Sequence, residues 1–187
     1  NNKLKFSLGD DGVDKNSLHI EFINYLKPES NKEVTNGTAP RTNESSFTIG
    51  DTVDYENTIR VPKDIAGGKI INGDSTETTS AYSVFNYKDI AGTGLSYFGQ
   101  AKDVNITTPD GSKLELNKDY KYEGIENGFK IDFIVNEGKV SDKVASLAGQ
   151  NLKVSYPMIL NEDALIDGPV ENSFDLSWNN SPTPDSK

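Results

Sequence analysis

Few side chains in this chain offer conventional chemistry. There is no cysteine, which removes thiol nucleophiles and Cys–zinc sites. His19 is the single histidine, so no histidine-based metal cluster is available, and a lone histidine on a strand reads as a packing residue. The run Asp10-Asp11-Gly12-Val13-Asp14-Lys15-Asn16 carries the oxygen ligands calcium prefers. It lacks the glutamate that closes an EF-hand loop and reads as a solvated acidic turn. Asn36-Gly37-Thr38, Asn43-Glu44-Ser45 and Asn105-Ile106-Thr107 match the glycosylation acceptor, and in so Asn-rich a chain they read as chance matches. Nothing among 29 acidic residues singles out a pair for glycoside hydrolysis. No P-loop, nucleophile elbow or Rossmann glycine pattern is present. The residues imply no metal and no cofactor, and they predict a protein without a turnover substrate.

Composition narrows the partners. The net charge is −10 and the pI about 4.6. Phosphate backbones need Lys and Arg to displace counterions, so nucleic acid is excluded as a natural partner. An anionic membrane is disfavoured for the same reason, and no apolar run approaches the length of a span. The absence of cysteine points to the cytosol, or to a surface protein stabilised by something other than disulfides. Hydrophobic residues make up 34% of 187. That is a thin supply, and a two-sheet sandwich, which buries one face per strand, tolerates it.

The elements that would position any site follow a period of two. Strands are predicted at 19–26 (with Ile20, Phe22 and Leu26), in two segments of 47–55 around Gly50-Asp51, at 58–62, 81–89, 95–98, 104–107, 113–116, 120–122, 129–135, 151–158 and 173–178. Residues 31–45 read as a polar loop and 64–79 as a long connection. Pro109-Asp110-Gly111 marks a tight turn. One segment changes period: Val140, Val144, Leu147 and Ala148 are spaced as on a helix, with Ser141 to cap its start and Gly149 its end. Many short strands with turns between them predict an all-β, immunoglobulin-like antiparallel sandwich with one short helix. Residues 1–180 are read as a single domain, 1–17 as an extra strand or tail, and 181–187 (Ser-Pro-Thr-Pro-Asp-Ser-Lys) as a stiff linker to a further domain.

Three stretches, in order, resemble the isopeptide-forming (D2, CnaA-like) domains of Gram-positive pilins and adhesins. The first is Phe47-Thr48-Ile49-Gly50-Asp51-Thr52-Val53-Asp54-Tyr55 with Val61-Pro62. The second is Tyr87-Lys88-Asp89 through Gly94-Leu95-Ser96-Tyr97. The third is Leu152-Lys153-Val154-Ser155-Tyr156 with Leu160-Asn161-Glu162 and then Asn172 to Asn180. The likeness runs from about Ile20 to Pro182.

The resemblance implies a covalent crosslink that the domain makes in itself. A strand lysine attacks the side-chain amide of a distant asparagine, a buried carboxylic acid assists, and ammonia leaves. Burial lowers a lysine's proton affinity and frees its nucleophile, a buried carboxyl group holds its proton more tightly, and packing replaces a bimolecular encounter. Carried onto this chain, Asn172 matches the amide and Asp89 the acid. Phe174 stands where the family usually has a small residue. Lys27, the lysine near the end of the first long strand, is the first choice of nucleophile, with Lys5 and Lys3 in reserve. A Lys27–Asn172 bond would close a loop of about 145 residues, worth roughly 5 kcal/mol by the chain-entropy estimate for disulfides.

The resemblance implies a structural stalk or backbone module of a pilus or wall-anchored adhesin, located outside the cell. Its partners would be neighbouring domains or subunits of the same surface protein. The family's Tyr-Pro-Lys polymerisation segment and an LPXTG-type sorting signal are not found. The alternative is an adhesin module that binds host matrix protein or glycan, with loops 31–45 and 64–79 and the aromatics Tyr82, Tyr97, Tyr120 and Tyr122 as its surface.

Overall fold

The computed structural model describes residues 30–37, 47–72, 75–79, 81–164 and 170–178. Strand alternation builds it. Along Thr52–Arg60 the buried residues are Val53, Tyr55, Asn57 and Ile59. Along Asn151–Leu160 they are Leu152, Val154, Tyr156 and Met158. Two such rows pair antiparallel, and a second sheet with rows of its own covers them.

In chain order the strands are β1 (Ser30–Val34), β2 (Thr52–Arg60), β3 (Gly68–Asn72), β4 (Ser75–Thr79), β5 (Phe85–Ile90), β6 (Leu95–Ser96), β7 (Asn105–Thr107), β8 (Lys121–Ile125), β9 (Gly128–Asp132), β10 (Asn151–Leu160) and β11 (Ser173–Trp178). One sheet runs β1-β2-β10-β6, with β7 also on β10. The second runs β11-β5-β9-β8, and β3-β4 form a separate hairpin. Every pairing between these strands is antiparallel. Phe85, Tyr87, Phe129 and Ile131 from the second sheet, with Phe133 just past β9, meet Ile59, Leu152, Val154 and Tyr156 from the first in one continuous core. This is the immunoglobulin-like sandwich the alternation predicts.

The helix also forms. α1 (Asp142–Ser146) starts where Ser141 Oγ accepts from Val144 N–H at 3.2 Å, and Gly149 follows with φ of 76°. A 3-10 turn over Ala101–Asp103 was not anticipated.

Two stretches read as loops are structured. Residues 31–45 contain most of β1, and 64–79 contain the β3-β4 hairpin. β1 is a polar edge strand whose only apolar residue is Val34, so it shows no apolar alternation to read. Residues 113–116, read as a strand, make only isolated bridges at Lys113 and Leu116. The strand expected at 19–26 lies outside the described residues, as do 1–17, 181–187, His19 and the Asp10–Asn16 run. Three of the four tyrosines considered for a sugar-binding surface, Tyr82, Tyr97 and Tyr120, are buried. The fourth, Tyr122, packs partly buried against the core.

Candidate functional site

Polar residues interrupt the inward rows at one level of the sandwich. On β2 the interruption is Asn57, and on β5 it is Asp89, both without solvent exposure. On β1, Lys32 shares the inward phase of buried Val34 and sits directly opposite Asn57 in the β1-β2 register. The edges of the two sheets, β1 and β11, flank this level.

Lys32 reaches across the core. Its Nζ lies 2.7 Å from Asp89 Oδ2, with the lysine side chain 12% exposed and the aspartate 0%. The ammonium stands 4.8 Å from the ring centroid of Tyr55, 5.7 Å from that of Tyr156 and 5.9 Å from that of Phe174. Aromatic faces attract a cation, yet they supply none of the hydrogen bonds that water would. Burial therefore pulls the Lys32 proton affinity below that of a free lysine, and the nearby Asp89 carboxylate opposes the shift.

Asp89 is held by more than the lysine. Tyr87 Oη donates to Oδ2 at 2.8 Å, and Tyr156 Oη donates to the same oxygen. Asn57 Nδ2 donates to Tyr156 Oη at 2.9 Å and also to Tyr87 Oη. Burial, helped by Asp89, pushes the Tyr55 phenol up to about 12. Tyr87 and Tyr156 rise well above the ordinary tyrosine value, again chiefly through burial. Asp89 Oδ1, in contrast, is buried with no hydrogen-bond partner.

Asn172 stands immediately before β11, on the same face as Phe174 two residues on. Its Nδ2 donates to Met158 Sδ of β10 at 3.3 Å, and its Oδ1 is buried without a partner. Phe174 stacks on Tyr87 with centroids 5.1 Å apart. Two glycines let the chain close around the site. A Cβ on Gly128 would lie 2.1 Å from the carbonyl oxygen of Asp89, and one on Gly92 would lie 2.0 Å from that of Glu171, the residue before Asn172. Any side chain at either position would push β9 from β5, or the Asn172 segment from the β5-β6 turn.

Of the residues singled out by sequence, Asp89 lies at the centre of this cluster and Asn172 at its margin. No hydrogen bond joins Asn172 to Lys32 or Asp89. Lys27, Lys5 and Lys3 lie outside the described residues. The lysine placed against Asp89 is Lys32, which sequence reasoning missed, together with Asn57 and the hydroxyls of Tyr87 and Tyr156. Asn57 had a legible signal, a polar residue in the inward phase of an otherwise apolar strand. Lys32 had almost none. Among the described residues no group of three or more His, Cys, Asp or Glu could hold a metal ion, and no helix is long and apolar enough to cross a membrane.

The architecture is an immunoglobulin-like sandwich of the kind found in Gram-positive pilus backbones. It superposes on a structure of the pilus backbone protein RrgB from Streptococcus pneumoniae with a TM-score of 0.55 at 22% identity, covering 84% of this chain and 55% of that one. The full-length major pilin RrgB of the same organism gives 0.55 at 22% identity over 86% of this chain and 25% of that one. The chain thus spans about half, or a quarter, of these pilins. No family model matches the sequence, and no curated protein does.

Proposed function

We propose that this chain is a structural stalk module of a Gram-positive pilus or wall-anchored surface protein, displayed outside the cell. On this reading it is held by an intramolecular isopeptide bond between Lys32 and Asn172 with Asp89 as the assisting acid. The observation that carries the reading is the fully buried Asp89 paired at 2.7 Å with a lysine of the first described strand, in a sandwich whose last strand starts beside a buried, partnerless amide oxygen. The pilin-like fold supports it, as does the order of the three sequence stretches. Lys32 takes the role that the resemblance first gave to Lys27.

The reaction balances without a cofactor. The Lys32 ammonium passes a proton to Asp89, and the neutral amine bonds to Cγ of Asn172. The Cγ–Nδ2 bond breaks and the nitrogen leaves as ammonia with the proton returned from Asp89, which takes in exchange the second proton of the Lys32 nitrogen as the new amide forms. To react, the Asn172 amide must leave Met158. The event happens once per molecule, so the module has no turnover substrate. Its partners are the neighbouring domains or subunits along the same stalk. The bond would close a loop of about 140 residues, worth roughly 5 kcal/mol by analogy with disulfides, and reducing agents would not open it.

The test is the intact mass of the purified, denatured protein. A mass one ammonia below that of the sequence, returning to full mass in Asp89→Ala, supports the reading. A full-mass wild-type protein refutes the crosslink.

A further inference from the structure

Hydrogen-bond directions around Asp89 carry one step more, which rests on the crosslinking reading above. The Asn57 amide nitrogen has two protons and meets two phenol oxygens, those of Tyr87 and Tyr156. Each proton is thereby committed to one tyrosine. A phenol has a single proton to give, and with its oxygen already accepting from Asn57, that proton is directed at Asp89 Oδ2. Tyr87 Oη also lies 3.1 Å from Tyr156 Oη, as its donor, so the Tyr87 proton is shared between that oxygen and Asp89 Oδ2. The wiring has one polarity, from Asn57 through both tyrosines to Oδ2. With Lys32 added, Oδ2 receives three donors while Oδ1, equally buried, receives none.

We propose that Asn57, Tyr87 and Tyr156 are positioning residues for the crosslinking step, which anchor Asp89 through Oδ2 alone and so reserve Oδ1 for the amide of Asn172. An oxygen crowded by three donors is poorly placed to carry a proton to a second group. The free oxygen is the one that can take the Lys32 proton as the amine turns from Oδ2 toward Asn172, donate it to the amide carbonyl as it becomes tetrahedral, and then protonate the departing nitrogen. Tyr87 and Tyr156 remain protonated donors at any working pH, because burial and the adjacent carboxylate oppose their ionisation. None of the three touches the reacting amide; they act by fixing the acid's orientation, to which near-attack geometry is sensitive.

The groups facing Asp89 are Lys32 from β1, Tyr55 and Asn57 from β2, Tyr87 from its own strand, Tyr97 just past β6 and Tyr156 from β10. Phe129 on β9 and Phe174 on β11 bring only apolar rings. The phenol hydroxyls can therefore be deleted without introducing a new charge.

The experiment follows intact mass over time after a short burst of cell-free synthesis, at several pH values. It compares the wild-type protein with Tyr87→Phe/Tyr156→Phe and with Asn57→Leu, using Asn172→Ala as the full-mass control. The expected result is ammonia loss in the wild type, slowed roughly tenfold or more in the double phenylalanine variant. The shape of that variant's rate–pH profile should change, since Oδ2 keeps only the Lys32 donor. Asn57→Leu keeps both hydroxyls but frees their orientation, so it should slow the step by a smaller factor. It serves as the deciding variant if the double substitution fails to fold. Wild-type rates and an unchanged pH profile in the folded variants would overturn the positioning role while leaving the crosslink intact. A wild-type protein that never loses ammonia would remove the crosslinking reading itself, and the positioning role with it.

Discussion

Asp89 and Asp119 are both 0% exposed, and they are wired in opposite ways. Asp119 spreads its charge: Oδ1 accepts from Ser141 Oγ at 2.7 Å and Oδ2 from the Glu115 N–H at 2.9 Å. Ser141 in turn accepts from Val144 N–H, so the carboxylate ties the 115–119 turn to the start of α1. Each of its oxygens has a neutral donor, which is how a purely structural buried carboxylate is satisfied. Asp89 concentrates a cation and two phenols on one oxygen and leaves the other bare. A buried orphan acceptor costs free energy unless something uses it. On the crosslinking reading proposed above, the contrast separates a carboxylate that finishes a piece of structure from one that is set up to react.

Substitutions should widen the contrast. Lys32→Met is expected to have the largest effect. It would remove the proposed crosslink, worth roughly 5 kcal/mol, and it leaves Asp89 without its cation, so the urea midpoint should collapse and the mass should stay full. A midpoint near that of the wild-type protein would break the comparison on the Asp89 side.

Alkaline pH comes next, measured on Asn172→Ala so that unfolding stays reversible. Tyr55, Tyr87 and Tyr156 have folded-state values raised above the ordinary 10. Their contribution is complete below about pH 10 and is lost as pH rises toward the folded values. In that window the unfolded chain has released protons that the folded one keeps. Each tyrosine should remove about 1.4 kcal/mol per pH unit. Lys32, with its value lowered, works in the other direction and softens the fall below about pH 10.5. A flat stability from pH 9.5 to 11 would contradict this account of the tyrosine cluster.

Asp119→Ala should cost about 2 kcal/mol, through the donors it strands, without altering ammonia release. Any change in final mass would tie Asp119 to the chemistry and erase the distinction. The smallest effect belongs to Ser141→Ala, about 1 kcal/mol for the lost helix cap, read in a thermal scan, with the crosslink unaffected.

The sequence made some of this legible and hid the rest for physical reasons. β10 and the inward residues of β5 and β9 announce themselves by alternation, residues 173–178 were read with the bounds that β11 has, and β2 was read in pieces, 47–55 and 58–62, of what is one strand over Thr52–Arg60. The helix was legible because Ser141 and Gly149 frame a change of period. β1 was not, because Ser-Asn-Lys-Glu-Val has Val34 as its one apolar residue and its other inward residue is the charged Lys32. Its inward phase is visible only once β2 is placed beside it. For the same reason the nucleophile was sought at Lys27. Asp89 and Asn172 stood out through the family pattern, yet their surroundings did not. The hydroxyls of Tyr87 and Tyr156 come from different sheets, and only the closing of one sheet over the other brings them to a single oxygen.

The central claim concerns one covalent bond between two named side chains. The most direct measurement is mass-spectrometric peptide mapping of the denatured, protease-digested wild-type protein. The account predicts a branched peptide in which Lys32 Nζ is joined to the side chain of Asn172, lighter than the two separate peptides by one ammonia. Recovery of the Lys32 and Asn172 peptides unlinked and at full mass would contradict it.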